Sequence, residues 1–169
     1  MNLYERTTQM ANDAQSIRSL AYWVSQEQAR WKPDPDSWSI LEVINHLYDE
    51  ERLDFRVRLE YILYRPGEPW PPIDPGVWVT SRAYNQRDPA ESLHNFLAER
   101  EKSLAWLKTL DPLDWQVVSA APWGEITAGD MFAAWVAHDM LHLRQLIELH
   151  YAYTVRSVEP YTVIYAGEW

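Results

Sequence analysis

Between residues 65 and 88 the chain carries Pro66, Pro69, Pro71, Pro72 and Pro75. Proline lacks the N–H and its ring clashes with the preceding helical turn, so most of this stretch is neither regular helix nor central strand. Long amphipathic segments flank it. Before it, Ser39 with Glu42 three residues on forms a capping box, and Ile40, Val43, Ile44, Leu47, Phe55, Leu59 and Ile62 keep a helical pattern to about Tyr64. After it, Asp88, Pro89 at the first helical position and Glu91 open a helix that Leu93, Phe96, Leu97, Leu104, Leu107 and Leu110 carry to Asp111-Pro112. A connection of this length inside a small domain is either functional or a topological crossover, and an all-α four-helix bundle with its long link between helices two and three needs the latter. A short helical turn near Ser81 to Gln86 fits within it.

The two outer helices have their own signals. Leu3, Met10, Ala14, Ile17, Ala21 and Val24 predict a first helix from about Leu3 to Arg30, stopped by Lys32-Pro33-Asp34-Pro35. Beyond a connection containing Trp115, Pro122 and Gly124, Thr127 with Asp130 caps a fourth helix that runs through Met131, Trp135, Leu141 and Leu149 to about Tyr153. The tail, 154–169, has β-branched and aromatic residues but no helix signal, and is expected to pack as an irregular strap. With 169 residues, no internal repeat and no low-complexity linker, one domain spanning 1–169 is expected.

Composition narrows the function classes. A formal charge of −10 repels phosphate backbones and anionic lipid headgroups, so nucleic acid and membranes are not expected partners. The first residues show no basic stretch leading into an apolar core, and no stretch has the length of a membrane span, so the expected location is cytoplasmic. With no cysteine, the chain has no thiolate metal site and no sulfur nucleophile, and any thiol chemistry must use a small-molecule thiol.

Histidines carry the strongest chemical signal. His138 and His142 lie four apart on the stripe Met131, Trp135, His138, His142, Gln145 and Leu149, so both rings point inward about one turn apart, the spacing that lets two imidazoles hold one metal ion. In helix two the stripe Val43, His46, Glu50, Leu53 and Val57 likewise turns a histidine inward, making His46 the natural third ligand. A single H-x-x-x-H also suits two core histidines satisfied by their neighbours, and a plain structural bundle is the corresponding reading. A third inward histidine on an independently phased helix favours metal, and three imidazoles with one open position is a catalytic rather than a structural arrangement. His138-Asp139-Met140-Leu141-His142 has Asp where a zinc protease needs Glu, which argues against that class. Asp49 and Glu50 could accept a hydrogen bond from an imidazole, complete the coordination, or belong to a solvated charge run with Glu51 and Arg52. Gln145 could orient a ligand or cap a neighbouring backbone group. Trp135, Tyr48 and the Trp-rich loops are candidate pocket walls, whereas His94 and His150 read as surface or packing residues.

Three pieces of the chain resemble the DinB/YfiT-like superfamily of four-helix metalloproteins: Ser37-Trp38-Ser39-Ile40-Leu41-Glu42 leading into His46-Leu47-Tyr48-Asp49, Pro122-Trp123-Gly124-Glu125, and His138-Asp139-Met140-Leu141-His142-Leu143-Arg144-Gln145. The resemblance implies an up-down-down-up bundle and a divalent metal at His46, His138 and His142. Zinc is the first expectation, and nickel and iron(II) also suit imidazole ligands. It further implies a homodimer and, from characterised relatives, a small-molecule transferase or hydrolase that uses a low-molecular-weight thiol or water. The alternative is a non-catalytic metal- or ligand-binding bundle built on the same histidines.

Overall fold

The computed structural model describes residues 1–110 and 112–167. The helices are α1 (Leu3–Tyr22), α2 (Gln26–Arg30), α3 (Ile40–Glu50), α4 (Arg56–Tyr64), α5 (Pro75–Ser81), α6 (Pro89–Lys108) and α7 (Ala128–Ser157), with the strands β1 (Val118–Ala121) and β2 (Gly124–Thr127). A π-helical segment, Glu51–Phe55, joins α3 to α4 without a break in the helical path. None of the described helices is long and apolar enough to cross a membrane.

Side-chain pairs fix the helix directions. Asn45 Nδ2 donates to Ser92 Oγ and Arg56 Nη1 donates to Ser103 Oγ, both across 47 residues of sequence, so α3–α4 and α6 run parallel. Met10 packs in one cluster with Trp135, while His150 Nε2 donates to the Leu20 carbonyl, so α1 and α7 are parallel as well. Met10 packs in one cluster with Leu107 and Ile17 in the other with Phe96, while the His46 ring meets that of His142 and the Phe55 ring stacks on Trp135, which makes α1–α6 and α3–α7 antiparallel. This is the up-down-down-up bundle, and two parallel consecutive helices oblige the 65–88 connection to travel back along the molecule.

Start signals hold at residue resolution. Ser39 and Glu42 exchange hydrogen bonds at the head of α3, Thr127 and Asp130 do so at the head of α7, and Asp88 accepts from Glu91 N ahead of Pro89. Several details differ from the sequence expectation. The first helix is broken: Trp23 ends α1, and Ser25 turns extended to cap α2 by accepting from Gln28 N. Trp31 then packs on Tyr153 and Gln28 donates to His150 Nδ1, so α2 leans on α7 instead of extending α1. Within the crossover, Asp74-Pro75 opens α5 with the same cap and N1 proline that open α6, and the expected turn near 81–86 is a 3₁₀ turn at Tyr84–Gln86. Helix α6 ends at Lys108, and Asp111, where the pattern ended it, lies outside the described residues.

The connection before α7 forms a hairpin, Val118 pairing with Thr127 and Ala121 with Gly124. Its turn needs Gly124, whose φ is +138°. The β-branched residues on both sides of Pro122-Trp123-Gly124 were the available signal. Helix α7 runs one turn further into the tail than expected, to Ser157, and the following Tyr161, Ile164 and Tyr165 are exposed rather than strapped onto the bundle.

Two apolar clusters fill the interior, one around Met10, Phe55, Leu59, Leu107, Phe132 and Trp135, the other around Ile17, Ile44, Leu47, Phe96, Leu143 and Leu146. A buried polar layer connects the helices. Arg100, 2% exposed, spends all five N–H groups there: on Glu51 and Asp139, each through both oxygens, and on the Met10 carbonyl. Trp135 Nε1 adds a bond to Glu51.

Candidate metal centre

The π-helical segment decides what α3 and α4 present to the core. Ahead of it Val43, Ile44 and Leu47 are buried; beyond it the buried set is Phe55, Arg58, Leu59 and Ile62. The wider turn rotates the second half, so Leu53 and Val57, expected on the histidine stripe, are only half-buried. His46 lies on the regular part, one turn before Glu50, and faces α7.

His46, His138 and His142 converge. The Nε2 atoms of His46 and His138 are 3.4 Å apart and those of His138 and His142 are 3.0 Å apart, and one nitrogen from each ring lies within 4.8 Å of the others. Ligands at about 2.0–2.1 Å in a tetrahedral shell stand about 3.3 Å from one another, so the two separations at His138 are those of imidazoles sharing one cation, with the third pair inside 4.8 Å. Neither Asp49 nor Glu50 belongs to the convergent group.

Proton placement agrees with that use. His142 Nδ1–H donates to Gln145 Oε1 at 2.8 Å, which leaves the Nε2 lone pair directed at the cluster. Burial, together with the neighbouring His142, holds His46 down to about 3, and burial with the two other histidines holds His138 down to about 2; His142 is also lowered, chiefly by burial. All three rings are therefore neutral in ordinary buffers, the form that ligates. His46 Nδ1 and Glu50 Oε1 are both buried without a hydrogen-bond partner and face each other at 3.9 Å. Glu50 thus stands behind His46, on its Nδ1 side and away from the Nε2 that faces His138.

Aromatic rings close two sides. Trp38 is 4.9 Å from the His46 ring and stacks parallel to His142 at 6.4 Å, while Phe55 is 4.9 Å from His138. A cleft of about 640 Å³ opens at Trp38, His142 and Gln145, with Asp36 and Glu148 on its wall. Toward the start of α7 lies a second cleft of about 600 Å³, lined by Phe55, Arg58, Trp70, Trp123 and Met131.

Other expectations are corrected. The Asp49-Glu50-Glu51 run is buried, not solvated. Asp49 accepts hydrogen bonds from Arg52, Arg82 and the Tyr84 hydroxyl, and Glu51 holds Arg100. Trp135 is fully buried, and Tyr48 lies under the Arg52 guanidinium and packs on the second core cluster; neither lines the two clefts. Asp139, placed by its spacing where a protease would have Glu, is the carboxylate that fixes Arg100 one residue from His138. Its distant partner is why spacing alone did not reveal this role. Consistent with their reading as surface or packing residues, His94 is exposed and His150 ties α2 and α1 to α7.

Residues 9–146 match the DinB superfamily. Among solved structures, YfiT from Bacillus subtilis, described as a probable metal-dependent hydrolase with an unusual four-helix bundle topology, is similar with a TM-score of 0.76 at 18% identity, over 87% of this chain and 85% of that one. At that identity the likeness shows the fold. None of the curated proteins matches the chain.

Proposed function

The chain belongs to the DinB superfamily, and from that membership and the site geometry we propose a metal-dependent enzyme that acts on a small molecule, with His46, His138 and His142 as the ligands of one divalent cation. The observation that carries this reading is the convergence of three neutral imidazoles at ligand spacing, one of them with its proton fixed on the far nitrogen by Gln145. Zinc heads the candidates, with nickel and iron(II) next. When bound, such a cation supplies Lewis-acid activation of a water or a small-molecule thiol in the position that three protein ligands leave open. Gln145 keeps the proton on His142 Nδ1, and Glu50 Oε1 stands on the Nδ1 side of His46, where a carboxyl oxygen can accept a hydrogen bond from that N–H. Phe55 covers His138 and Trp38 covers His46, beside the cleft that opens at His142. The reaction class is hydrolysis or S-transfer, in line with the description of YfiT as a probable metal-dependent hydrolase. Because the chain has no cysteine, the thiol of an S-transfer arrives as cosubstrate.

Elemental analysis of protein purified without a histidine tag or chelator tests the site. About one equivalent of metal is expected in the parent and a large loss in the His46→Ala, His142→Ala double variant. Consumption of an electrophile that requires both metal and thiol would then assign S-transfer, and metal-dependent consumption without thiol would assign hydrolysis. Folded parent protein that takes up no zinc, nickel or iron(II) would overturn the proposal.

A further inference from the structure

The cleft at the head of α7 contains a polar group that the metal reading leaves unused. Arg58 is 9% exposed and lies 4.7 Å over the ring of Trp70. Its Nε donates to Asp54, and among the described residues its Nη groups have no acceptor. A guanidinium is always charged and presents a planar fork, so with Asp54 on its Nε side the Nη groups stay available on the cleft wall. Around it stand Phe55, Trp70, Trp123 and Met131, and the Trp70 and Trp123 rings meet edge to face at 5.7 Å, joining the crossover to the hairpin. The volume of about 600 Å³ suits a small organic molecule. Phe55 belongs both to this cleft and to the surroundings of His138, and Ala134 on the cleft wall lies one helical turn before His138.

We propose that this cleft is the substrate subsite, and that it selects a small organic anion with a planar apolar body: the carboxylate or sulfonate is held by the Nη edge of Arg58, the body lies against Trp123 and Met131 on the cleft wall, and the reacting end reaches past Phe55 toward the three imidazoles. Asp54 occupies the Nε side of the fork and leaves the Nη edge for the ligand. Asp54 lines this cleft too, paired with Arg58, whereas the opposite cleft has Asp36 and Glu148 on its wall and no Arg or Lys among the described residues that line it. The cleft's part in the reaction rests on the metal reading above, whereas its occupancy does not.

The test is titration with the aromatic sulfonate 1-anilinonaphthalene-8-sulfonate and its uncharged counterpart N-phenyl-1-naphthylamine, on zinc-supplied and chelator-treated protein. Near-UV circular dichroism checks that each sample is folded. Arg58→Gln is expected to weaken the sulfonate about tenfold or more and the uncharged dye by less than about twofold, since only the former loses a charge-assisted hydrogen bond. Arg58→Lys, which keeps the charge and the partner for Asp54, serves if the glutamine variant does not fold, and is expected to lose part of the same preference. Trp123→Ala, at an exposed loop tip, weakens both dyes. Sulfonate affinity unchanged by either Arg58 variant, or both dyes weakened equally, overturns the subsite. Discrimination by Arg58 in a protein that takes up no metal would support the subsite while removing the catalytic reading, and metal uptake without discrimination would do the reverse.

Discussion

The sharpest residue-scale feature is the pair of buried, unpartnered atoms His46 Nδ1 and Glu50 Oε1, 3.9 Å apart. A ligand histidine commonly donates its second N–H to a carboxylate or amide, which fixes the ring and strengthens it as a donor. Gln145 already does this for His142. Glu50→Ala is expected to lower zinc affinity by about 10-fold to 100-fold, while Glu50→Gln, whose amide oxygen still accepts, retains most of it. Competition with a chromophoric chelator measures both, and equal losses in the two variants would assign Glu50 a packing role only. The four-residue spacing of His46 and Glu50 was legible in the sequence. The side of the ring on which Glu50 stands was not, because that depends on rotamers fixed by α7.

At the scale of elements, the crossover is held to α3 by one buried carboxylate. Asp49 receives Arg82 and Tyr84 from the turn after α5 and Arg52 from its own helix, and between the first two Ala83 adopts a left-handed φ of +50°. Burial pushes the Asp49 carboxyl up, but the hydrogen bonds from Tyr84, Arg82 and Arg52 outweigh it, and the net shift is downward. A carboxyl lowered on folding contributes stability that is fully present above its unfolded value, about 3.9, and is lost as pH falls through the folded value. Thermal unfolding followed by circular dichroism should therefore show acid destabilisation below about pH 4, with a shallower pH dependence in Asp49→Asn. An unchanged slope would mean that this clamp adds nothing to folding. The Ser39, Asp88 and Thr127 helix starts could be read directly because a cap and its partner lie three residues apart. The break at Trp23 and the π-helical segment leave weaker local marks, since each is stabilised by side chains from distant helices.

For the whole molecule, the Arg100 layer joins α1, the π-helical segment, α6 and α7 through one guanidinium with every donor used. Burial raises the Asp139 carboxyl to about 6 despite the attraction of Arg100, a sign of how much desolvation the layer carries. Removing one member strands the others, so Arg100→Met is expected to cost about 3–5 kcal/mol in chemical denaturation. Adding Glu51→Gln and Asp139→Asn removes the stranded charges and should recover part of that loss. If Arg100→Met unfolds at the same denaturant concentration as the parent, the layer is not a stability element.

The sequence by itself determined the four principal helices, their starts, the need for a crossover and the three histidines, because caps, prolines and helical periodicity act over a few residues. Tertiary structure decided among the roles open to the Asp49-Glu50-Glu51 run by burying it, assigned Asp139 to Arg100, and put Trp38 rather than Tyr48 or Trp135 on the cleft that reaches His142, with Arg58 on the cleft at the head of α7. Each of these depends on a partner tens of residues away, and the free energy that places a charge in the interior comes from that partner and not from the charge's neighbours in sequence.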